Sequence, residues 1–245
     1  MSEVNQMRVC VITDNRYIYK SFRTIAEKKG KNYEFYYYCS VKGNNFSDLD
    51  VDGGIQPVRL KLLNREWFND YDVFFSLHCK QIFPDVMVEN HRCINVHPGL
   101  NPYNRGWFPQ VFSIINGLPA GVTIHEMDKE LDHGPTIFQR EIKINSYDTS
   151  KDVYNRILET EMELLEEHFE ELIEGRYTAN AILTEGNINY MADFKSLCKL
   201  DMEQKGTLRE HLNLLRAVSF AGYKNAYYKE HGEKIYVTIS FEHGE

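Results

Sequence analysis

The sequence lacks the cysteine pairs and the long apolar runs that mark secreted and membrane proteins. Its five cysteines are odd in number and form neither a C-x-x-C pair nor a disulfide framework, which favours a reduced compartment. No run reaches the roughly 18 apolar residues that a membrane span needs, and the polar start, residues 1–7, has no secretory h-region. We therefore predict a cytoplasmic protein without a membrane partner.

Positively charged residues are also fewer than negatively charged ones. Lys and Arg number 28 against 36 Asp and Glu, so the formal net charge is -8. Proteins that bind nucleic acid need a concentrated basic surface, and because none is evident we expect no nucleic-acid partner. The composition is otherwise ordinary, with 42% hydrophobic residues over 245 positions, which suits one large domain or a domain with an appendage.

Several motifs of common enzyme classes are absent. No G-x-G-x-x-G follows the first strand and no G-x-x-x-x-G-K-[ST] occurs, which argues against dinucleotide-binding and phosphate-loop proteins. There is no G-x-S-x-G, and neither Cys79 nor Cys93 has flanking charges that would activate a thiol, so no nucleophile is predicted. H-E-x-x-H is missing and the nine histidines are scattered, so we expect no metal.

The sequence does have a regular alternation of strands and helices. Short apolar runs at residues 8–13, 33–39, 73–77 and 93–96 predict buried strands, and a helical pattern after the first of them ends at Gly30. A helix at 108–116, strands at 121–127 and 136–144, and a long helix through residue 173 follow. Its glutamates 159, 163, 166, 167 and 170 are interpreted as a solvated face. This order predicts an α/β fold with a mostly parallel sheet and flanking helices.

The alternation is lost after Tyr177. Residues 187–193 look irregular, 208–217 predict a short helix, and 224–241 predict two β-rich runs joined at His231-Gly232. We therefore predict a catalytic domain over 1–180 and a C-terminal extension over 181–245 that ends in a β-hairpin. The hairpin places Ile235, Val237, Ile239 and Phe241 on one face, which predicts a homodimer; folding back on the chain's own catalytic domain is the alternative.

The candidate site lies where the strand at 93–96 ends. Pro98 stops the strand, and because side chains alternate, Asn95 and His97 project to one face at the carboxyl end, where ligands bind in such sheets. An imidazole can exchange a proton, an amide can donate to a developing oxyanion, and a carboxylate such as Asp132 can orient the imidazole. Those roles suffice for acyl transfer to an amine. Asp128 is a competing carboxylate, and a structural role for the strand residues is the alternative.

Two motifs together, Asn95-Val-His-Pro-Gly99 and Leu131-Asp-His-Gly-Pro135, resemble the N10-formyltetrahydrofolate-dependent formyltransferases over roughly residues 7–173. The resemblance implies a Rossmann-like sheet, catalytic roles for Asn95, His97 and Asp132, and N10-formyltetrahydrofolate as co-substrate without a metal. It also implies that the folate lies against the loop after the third strand. The cofactor-binding residues assigned there are His78, Cys79, Lys80, Gln81, Ile82 and Phe83.

Within that family, residues 101–109 and the segment from Phe220 to Asn225 resemble the branch that formylates amino sugars on a nucleotide carrier. This branch implies a dTDP-linked amino sugar, a homodimer and a role in O-antigen or related glycan synthesis. Leu100-Asn-Pro-Tyr and a short acidic tail depart from the transfer-RNA branch, and Thr13-Asp-Asn-Arg16 departs from the purine-pathway enzyme. The substrate-binding residues assigned are Tyr103, Asn104, Arg105, Gly106, Phe220, Tyr223, Lys224 and Asn225.

Several alternatives stay open. The branch resemblance favours dTDP-4-amino-4,6-dideoxyglucose as acceptor, with a dTDP-3-amino-3,6-dideoxyhexose as second choice. Another small amine, or a folate- or sugar-nucleotide-binding module without catalysis, would also fit the residues. His125 is interpreted as a hydrogen-bonded core or supporting histidine, and Trp107 and Phe108 as core aromatics at a helix start.

Overall fold

A computed structural model describes residues 6–41, 53–242 and 244. The strands are β1 Met7–Thr13, β2 Tyr33–Ser40, β3 Gln56–Val58, β4 Val73–Leu77, β5 Cys93–His97, β6 Arg105–Gly106, β7 Ala120–Glu126, β8 Thr136–Ile142, β9 Ile188–Asn189, β10 Tyr227–Glu230 and β11 Glu233–Tyr236. The helices are α1 Arg16–Lys29, α2 Arg65–Asn69, α3 Asp85–Val88, α4 Pro109–Asn116, α5 Ser150–Glu167, α6 Phe169–Glu174, α7 Met191–Leu197 and α8 Leu208–Val218.

The main sheet has seven strands in the order β3-β2-β1-β4-β5-β7-β8. β1 pairs in parallel with β2 and β4, and β4 pairs in parallel with β5, whereas β5 and β7 are antiparallel. The predicted α/β fold with a mostly parallel sheet is therefore confirmed. Because the central strands run in one direction, the loops after β1, β4 and β5 leave from the same edge.

Aromatic side chains pack against both faces of this sheet. On one face Phe22 of α1 lies 6.0 Å from Phe75 and 5.9 Å from Phe169, measured between ring centroids. On the other face Phe74 belongs to a buried cluster with Phe68 and Met87, which come from the short helices α2 and α3. Burial on both faces explains why the strands read as continuous apolar runs.

The long helix predicted to continue through residue 173 is interrupted at one residue. The backbone of His168, with φ -106° and ψ 21°, leaves the helical conformation between α5 and α6. Its ring stacks on Phe138 with centroids 3.6 Å apart, so a tertiary contact accompanies the interruption. Gly175 ends α6 with φ 72°, a left-handed conformation that glycine adopts without steric cost.

The C-terminal part contains the predicted hairpin. β10 and β11 pair antiparallel across His231 and Gly232, whose φ angles of 48° and 87° are those of a type I′ turn. β11 ends at Tyr236, so the predicted run to Phe241 is too long. The expectation of an irregular stretch at 187–193 is also wrong: β9 pairs with β6, and α7 begins at Met191. Both elements are too short to produce a periodic pattern.

The chain divides into two compact units. One comprises Met1–His97, Thr123–Gln139 and Glu161–Leu183, and the other comprises Pro98–Val122, Arg140–Thr160 and Thr184–Glu245. These boundaries follow spatial compactness, and the division at residue 180 stays a sequence-based prediction. No helix in the described ranges is both long and apolar enough to cross a membrane.

Candidate active site

The end of β5 forms a polar patch with the neighbouring strand. In the antiparallel register Asn95 faces His125 and His97 faces Thr123. Directly opposed residues on an antiparallel pair project from the same face of the sheet, so these side chains lie together. His97 is 3% exposed and His125 is 2% exposed, so both imidazoles lie in a largely water-free environment.

The loop between β7 and β8 brings Asp132 to this patch. Asp132 has a left-handed backbone with φ 50°. Its Oδ1 accepts a hydrogen bond from Asn95 Nδ2 at 3.0 Å, and its Oδ2 lies 3.4 Å from His97 Nδ1. The structure therefore places Asp132 in contact with both Asn95 and His97, the other two predicted catalytic residues. Their catalytic roles stay a prediction.

Gly134 makes the path of this loop possible. A Cβ at Gly134 would lie 1.9 Å from the carbonyl oxygen of Glu126. Only a residue without a side chain lets the two backbone segments approach so closely. The same carbonyl accepts a hydrogen bond from His125 Nδ1 at 2.7 Å. The Glu126 carbonyl therefore contacts both the loop at Gly134 and the His125 ring.

His125 determines how the Asn95 amide is oriented. Burial lowers the pKa of His125, with the Asp132 carboxylate opposing that shift, so the ring is neutral near pH 7. Its Nδ1–H donates to the Glu126 carbonyl, which leaves Nε2 as the acceptor for Asn95 Nδ2 at 3.1 Å. Asn95 therefore donates its two amide hydrogens to His125 and Asp132. His125 is a supporting histidine, as its sequence interpretation proposed.

The competing carboxylate has other partners. Asp128 Oδ2 lies 3.1 Å from His133 Nδ1, and Asp128 Oδ1 accepts the backbone N–H of Glu130 at 2.9 Å. These contacts turn the Asp128 carboxylate to His133. Asp132, by comparison, contacts both Asn95 and His97, so the geometry favours Asp132 over Asp128 as the carboxylate of the site.

The loop after β4 contains the predicted folate-binding residues, and four hydrogen bonds from three of its residues hold it. His78 Nε2 donates to Glu161 Oε1 at 2.8 Å, and the Lys80 N–H donates to Asp14 Oδ2 at 2.7 Å. The Gln81 side chain accepts from the Leu60 N–H and donates to the Val58 carbonyl. The loop is therefore fixed before any ligand binds.

The rest of that loop is suited to an apolar ring. Ile82 is 71% exposed, while Phe83 is buried beside Phe74 and Met87. Burial raises the pKa of Cys79 to about 12, so its thiol stays protonated and unreactive. An exposed aliphatic side chain next to a rigid, partly polar backbone can bind a flat heterocycle such as a pterin.

The predicted substrate-binding residues of the 103–106 segment have different environments. Tyr103 is exposed, whereas Asn104 is fully buried with φ 52°. The Asn104 amide bonds Ser113 Oγ at 3.0 Å and accepts from neighbouring asparagines, of which Asn187 is the nearest at 2.7 Å. Asn104 therefore holds the loop, and a contribution to substrate binding would act through that loop.

Arg105 and Gly106 continue the same segment. Arg105 is 6% exposed, its Nη2 lies 3.3 Å from Glu185 Oε2, and its Nε has no hydrogen-bond partner among the described residues. Gly106 has φ 88°, and a Cβ there would lie 2.4 Å from the Asn189 carbonyl oxygen, so glycine permits the close pairing of β6 with β9. Direct substrate contacts by either residue stay a prediction.

The predicted nucleotide-binding residues near the C-terminus lie together. The Phe220 and Tyr223 rings meet edge to face with centroids 5.4 Å apart, which leaves no gap for a base between them. Tyr223 is 66% exposed. Asn225 Nδ2 donates to the Val218 carbonyl at 3.2 Å, while Lys224 Nζ lies 5.8 Å from the Tyr236 ring centroid.

The sequence interpretation assigned no functional role to two residues that the structure places at or next to the site loops. Asp14 accepts hydrogen bonds from the Ser40 N–H and hydroxyl as well as from Lys80, so it ties together the ends of β1, β2 and β4. Glu161 is fully buried in α5. Its sequence signal is its place four residues after Ile157 and four before Leu165, on the apolar stripe of the helix.

These features define a class of enzyme. An asparagine, a histidine and an aspartate meet at the carboxyl edge of a mostly parallel α/β sheet, and burial keeps the thiols of Cys79 and Cys93 protonated. Hydrogen-bond donors beside a carboxylate, without an activated nucleophile among these residues, are typical of direct acyl transfer. Over the described ranges, no three His, Cys, Asp or Glu side chains form a group that could hold a metal ion.

Comparisons with known proteins identify the family. "Formyl transferase" matches residues 69–169, and "N-formyltransferase dimerization C-terminal domain" matches residues 193–243. The dTDP-4-amino-4,6-dideoxyglucose formyltransferase of Mycobacterium tuberculosis is 51% identical over 173 residues, which cover 70% of this chain and 74% of that protein.

Solved structures agree with this match. A 4-N formyltransferase from Francisella tularensis superposes with a TM-score of 0.92 at 41% identity, covering 97% of this chain and 98% of the other. A sugar N-formyltransferase from a Shewanella species also gives a TM-score of 0.92 at 41% identity, covering 98% and 99%. The chain belongs to the sugar N-formyltransferase family and is an N-formyltransferase.

Proposed function

We propose that this enzyme transfers a formyl group from N10-formyltetrahydrofolate to the 4-amino group of dTDP-4-amino-4,6-dideoxyglucose. The observation that carries the chemistry is the contact of Asn95, His97 and Asp132 at the carboxyl edge of the sheet. The choice of sugar is supported by the relative from Mycobacterium tuberculosis, which carries that substrate in its name, and by the 4-N formyltransferase from Francisella tularensis.

The folate lies against the loop from His78 to Phe83, and the formyl group lies over Asn95 and His97. The amine nitrogen of the sugar attacks the formyl carbon and forms the new C–N bond. The bond from that carbon to N10 then breaks, and the proton lost by the amine ends on N10. Holding both substrates in contact supplies a large part of the rate enhancement.

Asn95 and His97 donate hydrogen bonds to the oxygen that becomes negative during the attack. In the structure the two hydrogens of the Asn95 amide are held by His125 and Asp132. The amide therefore exchanges one acceptor for the formyl oxygen. The Asp132 bond is the one exchanged, because the His125 bond sets the amide's orientation.

Asp132 holds His97, whose Nδ1 lies 3.4 Å from its Oδ2, and accepts the amine proton, directly or through a water, before that proton passes to N10. The carboxylate is suited to this role because it is only 10% exposed and its two oxygens contact two different catalytic groups. An isosteric amide at position 132 would lack the charge and could not accept a proton.

The proposal also covers the oligomeric state of the enzyme and its cellular location. We assign a homodimer built on the C-terminal segment, supported by the dimerization-domain match at 193–243 and by the exposed apolar side chains Ile235 and Phe241. A cytoplasmic location is supported by the five cysteines, which form no disulfide in the described part of the chain. The role in O-antigen or related glycan synthesis rests on the sequence resemblance.

A panel of acceptors tests this function. The enzyme is incubated with N10-formyltetrahydrofolate and either dTDP-4-amino-4,6-dideoxyglucose, a dTDP-3-amino-3,6-dideoxyhexose or free amines, and products are analysed by mass spectrometry. We expect one formyl group to be gained by the 4-amino sugar. Faster transfer to the 3-amino sugar would overturn the assigned acceptor, and folate binding without transfer would favour a module without catalysis.

A further inference from the structure

Glu161 occupies a position where an apolar residue is expected. Steps of four residues along α5 and α6 pass through Val153, Ile157, Glu161, Leu165 and Phe169, and all five are buried. The other four are hydrophobic, so the row is an apolar stripe along the two helices. A carboxylate in that row loses its hydration, which a leucine or isoleucine there would not do.

The burial of Glu161 is only partly compensated. Its Oε1 accepts a hydrogen bond from His78 Nε2 at 2.8 Å, and its Oε2 is buried without a hydrogen-bond partner among the described residues. A half-satisfied buried carboxylate destabilises the fold compared with an apolar residue of similar size. The bond to His78 is therefore the specific interaction that this carboxylate provides.

His78 itself has an uncommon backbone conformation. Its φ of 57° lies in the left-handed region, which only a few per cent of residues other than glycine adopt, although histidine is among the residue types enriched there. His78 is the first residue after β4, so this φ angle sets the direction in which the loop leaves the sheet. Outside contacts must hold such a conformation, and the Glu161 carboxylate holds the ring of the same residue.

We propose that Glu161 is a positioning residue, which holds the loop from His78 to Gln81 in the conformation that receives the folate co-substrate. Being fully buried, Glu161 touches neither the folate nor the reacting atoms and acts through His78. The inference rests on the proposed function, because it takes that loop to be the folate site. Glu161, a residue in the interior of α5, would then determine the affinity of the enzyme for its co-substrate.

Two substitutions separate the hydrogen bond from side-chain volume. Glu161→Leu keeps the size of the side chain and removes the acceptor, whereas Glu161→Gln keeps one acceptor oxygen. Glu159→Gln is the matched control, since Glu159 lies on the exposed face of the same helix. Binding of 5-formyltetrahydrofolate is measured by calorimetry, and kcat and KM are measured for both substrates.

Glu161→Leu should weaken 5-formyltetrahydrofolate binding about tenfold, in line with the loss of one hydrogen bond to a charged group. KM for the folate should rise by a similar factor, while kcat and KM for the sugar nucleotide stay within about twofold of the wild type. Glu161→Gln should restore most of the affinity, and Glu159→Gln should leave it unchanged. A purely structural role would lower thermal stability without this selective change in folate affinity.

A second single variant, His78→Asn, keeps the test decisive if Glu161→Leu folds poorly, and a double variant extends the test if it folds. His78→Asn removes the ring but keeps a residue that tolerates a left-handed φ. It should weaken folate binding as Glu161→Leu does, and the double variant should be no weaker than either single variant within about twofold. Proton NMR gives a readout without activity: a slowly exchanging His78 Nε2–H signal is expected in the wild type and not in Glu161→Leu.

The outcomes distinguish this inference from the proposed function. If the wild type transfers formyl groups while His78→Asn and a folded Glu161→Leu bind 5-formyltetrahydrofolate normally, the inference is overturned and the function stands. If the wild type transfers no formyl group but Glu161→Leu still weakens folate binding, the function fails and the inference stands. A wild type that binds no folate overturns both.

Discussion

The amide of Asn95 shows how neighbouring groups orient a side chain for which we propose a catalytic role. The Glu126 carbonyl sets the tautomer of His125, and His125 in turn sets which way the Asn95 amide points. The –NH2 end of the amide is therefore directed to the carboxylate side of the site before any substrate arrives. Donors oriented in advance need no reorganisation during the reaction, which is where such sites gain most of their effect.

Asp132 and Asp128 are two carboxylates on the same loop, and substituting each in turn tests which of them takes part in the reaction. Asp132→Asn should lower kcat by on the order of a hundredfold with little change in either KM, because it removes an interaction that strengthens in the transition state. Asp128→Asn should retain most activity, since Asp128 bonds His133 and Glu130 instead. Steady-state kinetics on both variants checks this, and inactivation by Asp128→Asn alone would show that the carboxylate is misassigned.

His125 links the site to the pH dependence of stability. Its folded-state pKa lies below the ordinary value of 6.5 because the ring is buried. Below about pH 6.5 the unfolded chain therefore binds a proton that the folded chain does not, and the free energy of unfolding falls as the pH falls. Each such proton contributes a slope of up to about 1.4 kcal/mol per pH unit.

Replacing His125 removes that contribution. In His125→Leu the free energy of unfolding should fall less steeply between about pH 7 and pH 5, and turnover should drop because Asn95 loses the acceptor that orients it. Urea denaturation at several pH values measures the slope, and wild-type protein in the same buffers is the control. An unchanged slope would mean that the protonation of His125 does not differ between the folded and unfolded states.

At the scale of elements, the loop between β7 and β8 depends on one backbone contact. Gly134→Ala forces a Cβ to 1.9 Å from the Glu126 carbonyl, so the loop must move and Asp132 moves with it. We expect kcat to fall at least tenfold, because small displacements of catalytic groups have large effects on rate. Thermal unfolding together with steady-state kinetics measures both consequences.

Gly117→Ala is the control for this variant. Gly117 ends α4 with φ 71°, and beyond its own chain neighbours no atom of the described residues lies within 4 Å of an added Cβ. The substitution should cost about 1 kcal/mol of stability from backbone strain and leave kcat unchanged. Equal loss of activity in both glycine variants would indicate a general effect of destabilisation rather than displacement of Asp132.

The elements that could be predicted from the sequence are those with long or strongly apolar patterns. β1, β4 and β5 are continuous apolar runs, and α8 begins at Leu208, directly after the N-cap Thr207, whose side chain and Glu210 form a capping box. The short elements α2, α3 and β9 could not be predicted, since their few residues show no period and tertiary contacts decide their conformation. The predicted end of the second hairpin strand was wrong for a related reason. Apolar and polar residues continue to alternate after Tyr236, where β11 ends.

The candidate site also has residues whose arrangement could be predicted from the sequence and residues whose arrangement could not. Asn95 and His97 could be placed together because a strand fixes the spacing of its side chains. The contact with Asp132 required the motif resemblance, since a left-handed residue in a loop leaves no periodic signal. Glu161 was missed because the sequence interpretation assigned it to neither the apolar stripe nor the solvated face of α5, although its spacing from Ile157 and Leu165 distinguishes it from Glu159 and Glu163.

At the scale of the whole molecule, the C-terminal hairpin should determine the oligomeric state. Ile235 is 37% exposed although it belongs to the apolar row of the hairpin, and a second copy would cover it. Ile235→Glu should weaken the proposed dimer at least tenfold, because two buried like charges would face each other across a two-fold axis. Light scattering over a range of concentrations measures the change.

Thr238→Glu introduces the same charge at an exposed position of the segment that follows β11. This control should remain dimeric. If Ile235→Glu is also as dimeric as the wild type, the hairpin is not the interface, and the dimer must be built on another part of the 193–243 region.

The central claim is that Asn95, His97 and Asp132 act on the chemical step rather than on binding, and His97→Asn tests it most directly. Calorimetry gives the Kd of the variant for 5-formyltetrahydrofolate and for the sugar nucleotide. A rapid-quench single-turnover experiment with saturating substrates then gives the rate of formyl transfer. We expect both Kd values within about threefold of the wild type and a transfer rate lower by at least a hundredfold. Loss of sugar-nucleotide binding together with activity would contradict the account and make His97 a binding or structural residue.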